Sequence, residues 1–154
     1  MSTPTHDLVV FGATSFVGQI LTPYLAEQFG THGSLKWAIA GRSESKLTTL
    51  RNSLGLAAGK LPSLVADAGD EAALRRLCKD TRVVISTVGP YALHGEPLVK
   101  VCAETGTDYC DLTGEVQWIR RMIQAYEPVA RKSGARIVHC CGFDSIPSDL
   151  GVFF

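Results

Sequence analysis

Several short stretches of this 154-residue chain carry residue types at spacings suited to a phosphate-rich ligand. The run Gly12-Ala-Thr-Ser-Phe-Val-Gly18 follows an apolar segment and opens a helical pattern. Free amides at a helix start, reinforced by the helix dipole, favour a pyrophosphate there. Gly12 would allow a tight turn and Gly18 a close approach of helix to strand. Thr14, Ser15, Phe16 and Val17 complete the candidate lining. Ser15 stands where the usual GxxGxxG pattern has its middle glycine, so its side chain crowds the approach to phosphate. Its hydroxyl either donates to that phosphate or caps the helix.

A second stretch, Gly41-Arg42-Ser43, ends the next apolar run. An NAD-preferring site usually places a carboxylate here to accept from the ribose 2′-hydroxyl, and no Asp or Glu does so. Arg42 instead offers a fixed cation with several donors, and Ser43 a hydroxyl beside it, a pair suited to a 2′-phosphate. NADP is therefore the expected cofactor, ahead of NAD. Asp67, past the third apolar run, either accepts from an adenine amino group or caps the helix beginning near Asp70. Gly89, Pro90 and Tyr91 follow the fourth run, where Gly89 would let the backbone approach the cofactor. Tyr91, His94, Asp111, Glu115 and Asp144 each lie just past a predicted strand and are candidates for the nicotinamide end. His94 is of a residue type suited to proton transfer, although a surface loop histidine is the commoner case. Asp144 and Ser145 precede Pro147 and equally suit a helix start. No catalytic residue and no metal ligand is assigned.

Such residues need strand ends and helix starts to hold them. Apolar runs short enough for buried strands occur at Leu8–Phe11, Trp37–Ala40, Leu64–Ala66, Val83–Thr87, Asp108–Leu112 and Arg136–Cys140. Between them, apolar residues recur at helical spacing, as in Val17, Ile20, Leu21, Tyr24 and Leu25. Strand and helix alternate without hairpin signals, which predicts right-handed βαβ units in an α/β, doubly wound parallel sheet of the Rossmann kind. Two prolines interrupt the helical patterns. A kink is expected at Pro23, and at Pro128 a break that leaves a short second piece ending near Gly134.

Composition excludes other classes. Fifteen basic residues balance fifteen acidic ones and cluster only in pairs, so nucleic acid is not an expected partner. At 45% hydrophobic and 19% charged the chain can bury a core. No apolar run is long enough for a membrane span, and Met1–Asp7 lacks the pattern of a signal peptide. A cytoplasmic protein is expected, with room for peripheral membrane contact. The five cysteines, without CxxC spacing, read as buried thiols. No tyrosine precedes a lysine by four residues, so the short-chain dehydrogenase pair is absent. Gly55–Lys60 is one residue short of a P-loop and lacks its magnesium-binding hydroxyl, so it is set aside.

With these motifs, and with Tyr109-Cys-Asp-Leu-Thr-Gly-Glu115 and Gly142-Phe-Asp-Ser-Ile-Pro-Ser-Asp-Leu-Gly151, residues 7 to 154 resemble the N-terminal part of the saccharopine dehydrogenase-like oxidoreductases. Ser15 departs from that family, where glycine is usual. The resemblance implies one Rossmann domain over residues 1–154 and a substrate domain that this chain lacks. It implies hydride transfer to an enoyl, imine or carbonyl group of a small molecule, with a lipid-like one among the options. The trans-acting enoyl reductases of mycobacterial lipid synthesis look near within the family. Any homo-oligomer would form through the missing domain. A non-catalytic NADP-binding sensor or scaffold is the alternative. The end in Val152-Phe153-Phe154, inside an apolar helical start, reads as a truncation that leaves those residues and Leu150 without partners.

Overall fold

The computed structural model describes residues 4–31, 33–55 and 61–154. Six strands form one sheet: β1 (His6–Phe11), β2 (Trp37–Gly41), β3 (Ser63–Val65), β4 (Thr81–Ser86), β5 (Asp108–Asp111) and β6 (Ile137–Val138). Their order is β3-β2-β1-β4-β5-β6, and every neighbouring pair is parallel. This is the doubly wound arrangement expected from the sequence, with each strand end within two residues of its expected place. The chain leaves β1 toward β2 and returns to β4 on the other side of β1. A crevice therefore opens beyond the carboxyl ends of β1 and β4.

Among the described residues, seven helices accompany the sheet: α1 (Phe16–Phe29), α2 (Glu44–Ser53), α3 (Glu71–Lys79), α4 (Tyr91–His94), α5 (Glu96–Thr105), α6 (Val116–Ser133) and α7 (Ile146–Phe153). Side chains alternate along a strand, so Val9 and Phe11 of β1 join a core with α3, α5 and α6, and Val10 joins one with α1 and α2. All five residues of β2 are buried, as a parallel strand covered on both faces requires. Three helix starts are capped by side chains: Ser15, Ser43 and Asp70 accept from the amides of Gly18, Lys46 and Ala73.

Pro128 does not break its helix. α6 runs unbroken from Val116 to a left-handed cap at Gly134, and α1 likewise continues through Pro23. Both prolines are exposed, so water can take the carbonyl that each missing N–H releases. Buried Met122 and Ala130 anchor α6 on either side of Pro128, as Thr22 and Leu25 do around Pro23. Packing outweighs a cost of roughly 3 kcal/mol. The cysteines also differ from expectation: only Cys78 and Cys102 are buried, and Cys141 is exposed. In α7 no residue is buried, and Leu150, Val152, Phe153 and Phe154 are exposed as expected. Of the P-loop-like stretch, residues 56–60 lie outside the described residues. No described helix is long and apolar enough to cross a membrane.

Candidate functional site

The site is built around the turn between β1 and α1. Gly12 has φ +86°, a left-handed conformation that favours glycine. A Cβ there would stand 2.6 Å from Cγ2 of Val88. At Gly18 a Cβ would lie 2.3 Å from the Gly12 carbonyl oxygen, so the first turn of α1 rests on backbone. Four amides at a helix start lack intrahelical acceptors. In α1, two of them are satisfied around Ser15: its own amide donates to the Gly12 carbonyl, and its Oγ accepts from the Gly18 amide. The Phe16 and Val17 amides have no acceptor among the described residues. Of the two sequence readings of Ser15, helix capping is the one observed, and its hydroxyl proton goes to Oγ1 of Thr87 at 3.0 Å.

A cleft of about 350 Å³ extends from this turn across the ends of β2, β3 and β4. It gathers Gly12, Thr14, Ser15, Arg42, Ser43, Asp67, Gly89 and His94, residues far apart in sequence. Arg42 is exposed and forms no ion pair among the described residues. Ser43 Oγ accepts from the Lys46 amide at 3.4 Å and bonds Ser45 at 3.1 Å. Asp67 is not the helix cap, a role that Asp70 fills. Asp67 Oδ1 accepts from the Gly69 amide at 2.8 Å, and the side chain lines the cleft.

Other predicted residues stand apart from the cleft lining. Phe16 projects into solvent at 82% exposure. Val17 and Pro90 flank the cleft without lining it, and Gly18 lies beneath the turn. Tyr91 is buried against Trp118, its hydroxyl donating to the Ser86 carbonyl at 2.9 Å, and burial raises its pKa well above the ordinary phenol range. The Glu115 carboxylate accepts from the Tyr91 and Ala92 amides at 2.7 and 2.8 Å, capping α4 and so holding the segment that carries His94. Asp111, 2% exposed, accepts from Tyr109 Oη, Thr113 N and Cys140 N and pairs with Nδ1 of His139 at 2.7 Å. Asp144 is exposed in the approach to α7.

Sequence reasoning missed three residues here. Lys46 lines the cleft with Arg42. Its place three residues past the Ser43 cap was the available signal, since that spacing returns it to the first turn of α2. Thr87 was seen only as a strand end. His139, the partner of Asp111, was also missed, because the pairing joins β5 to the end of β6 and leaves no local pattern.

The residues present fit a dinucleotide. Gly12 and Gly18 sit where a Cβ would collide, two helix-start amides lack acceptors, and two unpaired cations face the end of β2, where a 2′-phosphate needs charge-assisted donors. Residues 8–138 match the family model described as the saccharopine dehydrogenase NADP binding domain. The chain is 47% identical over 147 residues to a protein of Mycobacterium tuberculosis named as a candidate trans-acting enoyl reductase, covering 96% of this chain and 34% of that one. It is 45% identical over 146 residues to a trans-acting enoyl reductase of Mycobacterium ulcerans, covering 95% and 34%. Saccharopine dehydrogenase from Saccharomyces cerevisiae superposes with a TM-score of 0.71 at 24% identity, over 91% of this chain and 28% of the yeast enzyme. That likeness establishes the fold. The chain spans about a third of the length of the curated relatives it matches.

Proposed function

The chain belongs to the family of saccharopine dehydrogenase NADP-binding domains, and we propose that it is the cofactor-holding domain of an NADPH-dependent reductase acting on an enoyl group. The observation that carries this reading is the cleft beyond β1, β2 and β4, with the glycine turn at one end and Arg42 and Lys46 at the other. The names of relatives at 45–47% identity favour an enoyl acceptor over an imine or carbonyl.

When bound, NADPH supplies the hydride. The chain's own residues bind and orient: the Phe16 and Val17 amides are offered to the pyrophosphate, with Thr14 and Ser15 beside them. Arg42, Ser43 and Lys46 are offered to the 2′-phosphate, and Asp67 to the adenine edge. Gly89, with Pro90 and Tyr91 behind it, carries the backbone toward the nicotinamide end. His94 is the exposed titratable group there. Asp111 and Glu115 are engaged by neighbouring amides and side chains and hold the fold of their loops, with no part offered to the cofactor. The acceptor would be held by a second domain, since hydride transfer needs a surface that positions the acceptor and excludes water.

Calorimetric titration tests the cofactor assignment. The wild-type chain is expected to bind NADPH more tightly than NADH, and Arg42→Ala to cost about 1.5–3 kcal/mol for NADPH alone. Equal affinities, or an unchanged ratio in Arg42→Ala, would refute it. For the reaction, residues 1–154 alone are expected to oxidise no NADPH with enoyl, imine or carbonyl acceptors, whereas a protein of the relatives' full length turns over the enoyl acceptor. Turnover by residues 1–154 at a comparable rate would overturn the two-domain reading.

A further inference from the structure

We propose that Ser15 and Thr87 form a hydrogen-bonded latch that holds the glycine turn against the end of β4, so that Ser15 serves cofactor binding by positioning the turn. This rests on the NADP-binding reading above.

A serine hydroxyl has one proton and two lone pairs. The Ser15 proton goes to Thr87 Oγ1 at 3.0 Å, and a lone pair takes the Gly18 amide at 3.0 Å. Thr87, 6% exposed, directs its own hydroxyl proton to the Gly12 carbonyl at 2.8 Å, with the Phe11 carbonyl at 3.2 Å. Its amide donates to the Phe11 carbonyl at 2.9 Å. One buried side chain just past β4 thus reaches the last residue of β1, the left-handed glycine and the helix cap. These groups are 72 to 76 residues away in sequence.

A glycine at position 15 would open the approach to phosphate, but it would leave Thr87 without this donor and the Gly18 amide without its acceptor. Serine keeps both bonds. Its hydroxyl proton is committed to Thr87, so the backbone amides of Phe16 and Val17 remain as the donors toward phosphate. Ser15 is therefore a positioning residue, coupled to Thr87.

The test measures NADPH affinity by calorimetry, and Gly18 amide exchange by NMR without cofactor, in wild type, Ser15→Ala, Thr87→Val, the double variant and Thr87→Ser. Each of the first two variants is expected to weaken binding about five- to tenfold, since each breaks the shared Ser15–Thr87 bond together with that residue's own bond to the turn. The double variant should be no weaker than the worse single one, because the two residues act as a unit. Thr87→Ser keeps the hydroxyl and should restore affinity. In Thr87→Val the Gly18 amide should exchange faster, although Thr87 does not bond it. Additive losses would mean that Ser15 donates to phosphate directly, and the latch would be wrong. Unchanged affinity with a lowered melting temperature would reduce the pair to a stability element and equally overturn the proposal. A wild-type chain that binds no NADPH would sink the cofactor reading, and the latch itself would then be decided by whether Gly18 exchange responds to Thr87→Val.

Discussion

Around the glycine turn and the end of β2, polar groups are left over: two helix-start amides and the side chains of Arg42 and Lys46 have no partner among the described residues. Around β5 and β6 the carboxylates of Asp111 and Glu115 are consumed. Asp111 takes three donors besides His139, and Glu115 takes two amides. The buried Trp118 Nε1 has no partner among the described residues, and large apolar side chains are left exposed, with Val116, Phe143 and Phe153 at 69%, 87% and 81% exposure. Phe16 and Leu93 are exposed beside the turn as well, but there they accompany unused donors. Both regions lie beyond carboxyl ends of one sheet, so position alone does not mark a ligand-binding residue. Unused hydrogen-bonding capacity marks it better. A carboxylate already surrounded by donors is holding the fold, whereas a guanidinium without a partner is available.

The comparison predicts that changes near β5 and β6 alter stability and leave affinity alone, while changes at the turn alter both. The largest effect is expected for Asp111→Ala, which strands several buried donors and should cost about 3–5 kcal/mol in denaturant unfolding. NADPH affinity of the folded fraction should stay within twofold, and a loss of tenfold or more would break the comparison. Next comes Gly18→Ala, whose new Cβ meets backbone that cannot give way without moving α1. Overpacking of this kind costs about 1–3 kcal/mol. Binding of NADPH should fall by at least as much, and a variant of normal affinity would show that the turn tolerates displacement.

The smallest effect is a pH dependence at the distal end of β5. The Asp108 carboxyl, bonded by the Arg136 side chain and amide, titrates below the usual carboxylate range, chiefly because of that side-chain bond. A lowered folded pKa stabilises the protein above the unfolded carboxylate pKa of about 3.9, and that contribution vanishes as pH falls through the folded value. The pair is largely solvated, so Asp108→Asn should cost less than about 1 kcal/mol at pH 7. The difference from wild type should close as the pH drops below about 4. A gap that does not narrow as the pH falls below about 4 would assign the effect to packing.

Local information was enough for the sheet. A buried parallel strand must be apolar on both faces, and a glycine turn before a helix has few alternatives, so the strands, the turn and Arg42 were all legible in the chain. The helix through Pro128 was not, because a local proline penalty is overridden by anchors on either side that exist only once α6 lies on the sheet. The site divides in the same way. Residue types and strand ends placed Gly12 and Gly18 at the turn and Arg42 and Ser43 at the end of β2, since those places depend on backbone conformation and on the order of strands. Only the tertiary structure decided that Lys46 and His94 join the cleft and that Ser15 bonds Thr87. The same holds for Tyr91, Asp111 and Glu115, which are committed to neighbours on other elements. Whether a polar side chain is free or already engaged depends on partners distant in sequence, as for Glu115 with Tyr91 at 24 residues and Ser15 with Thr87 at 72, and no local pattern encodes them.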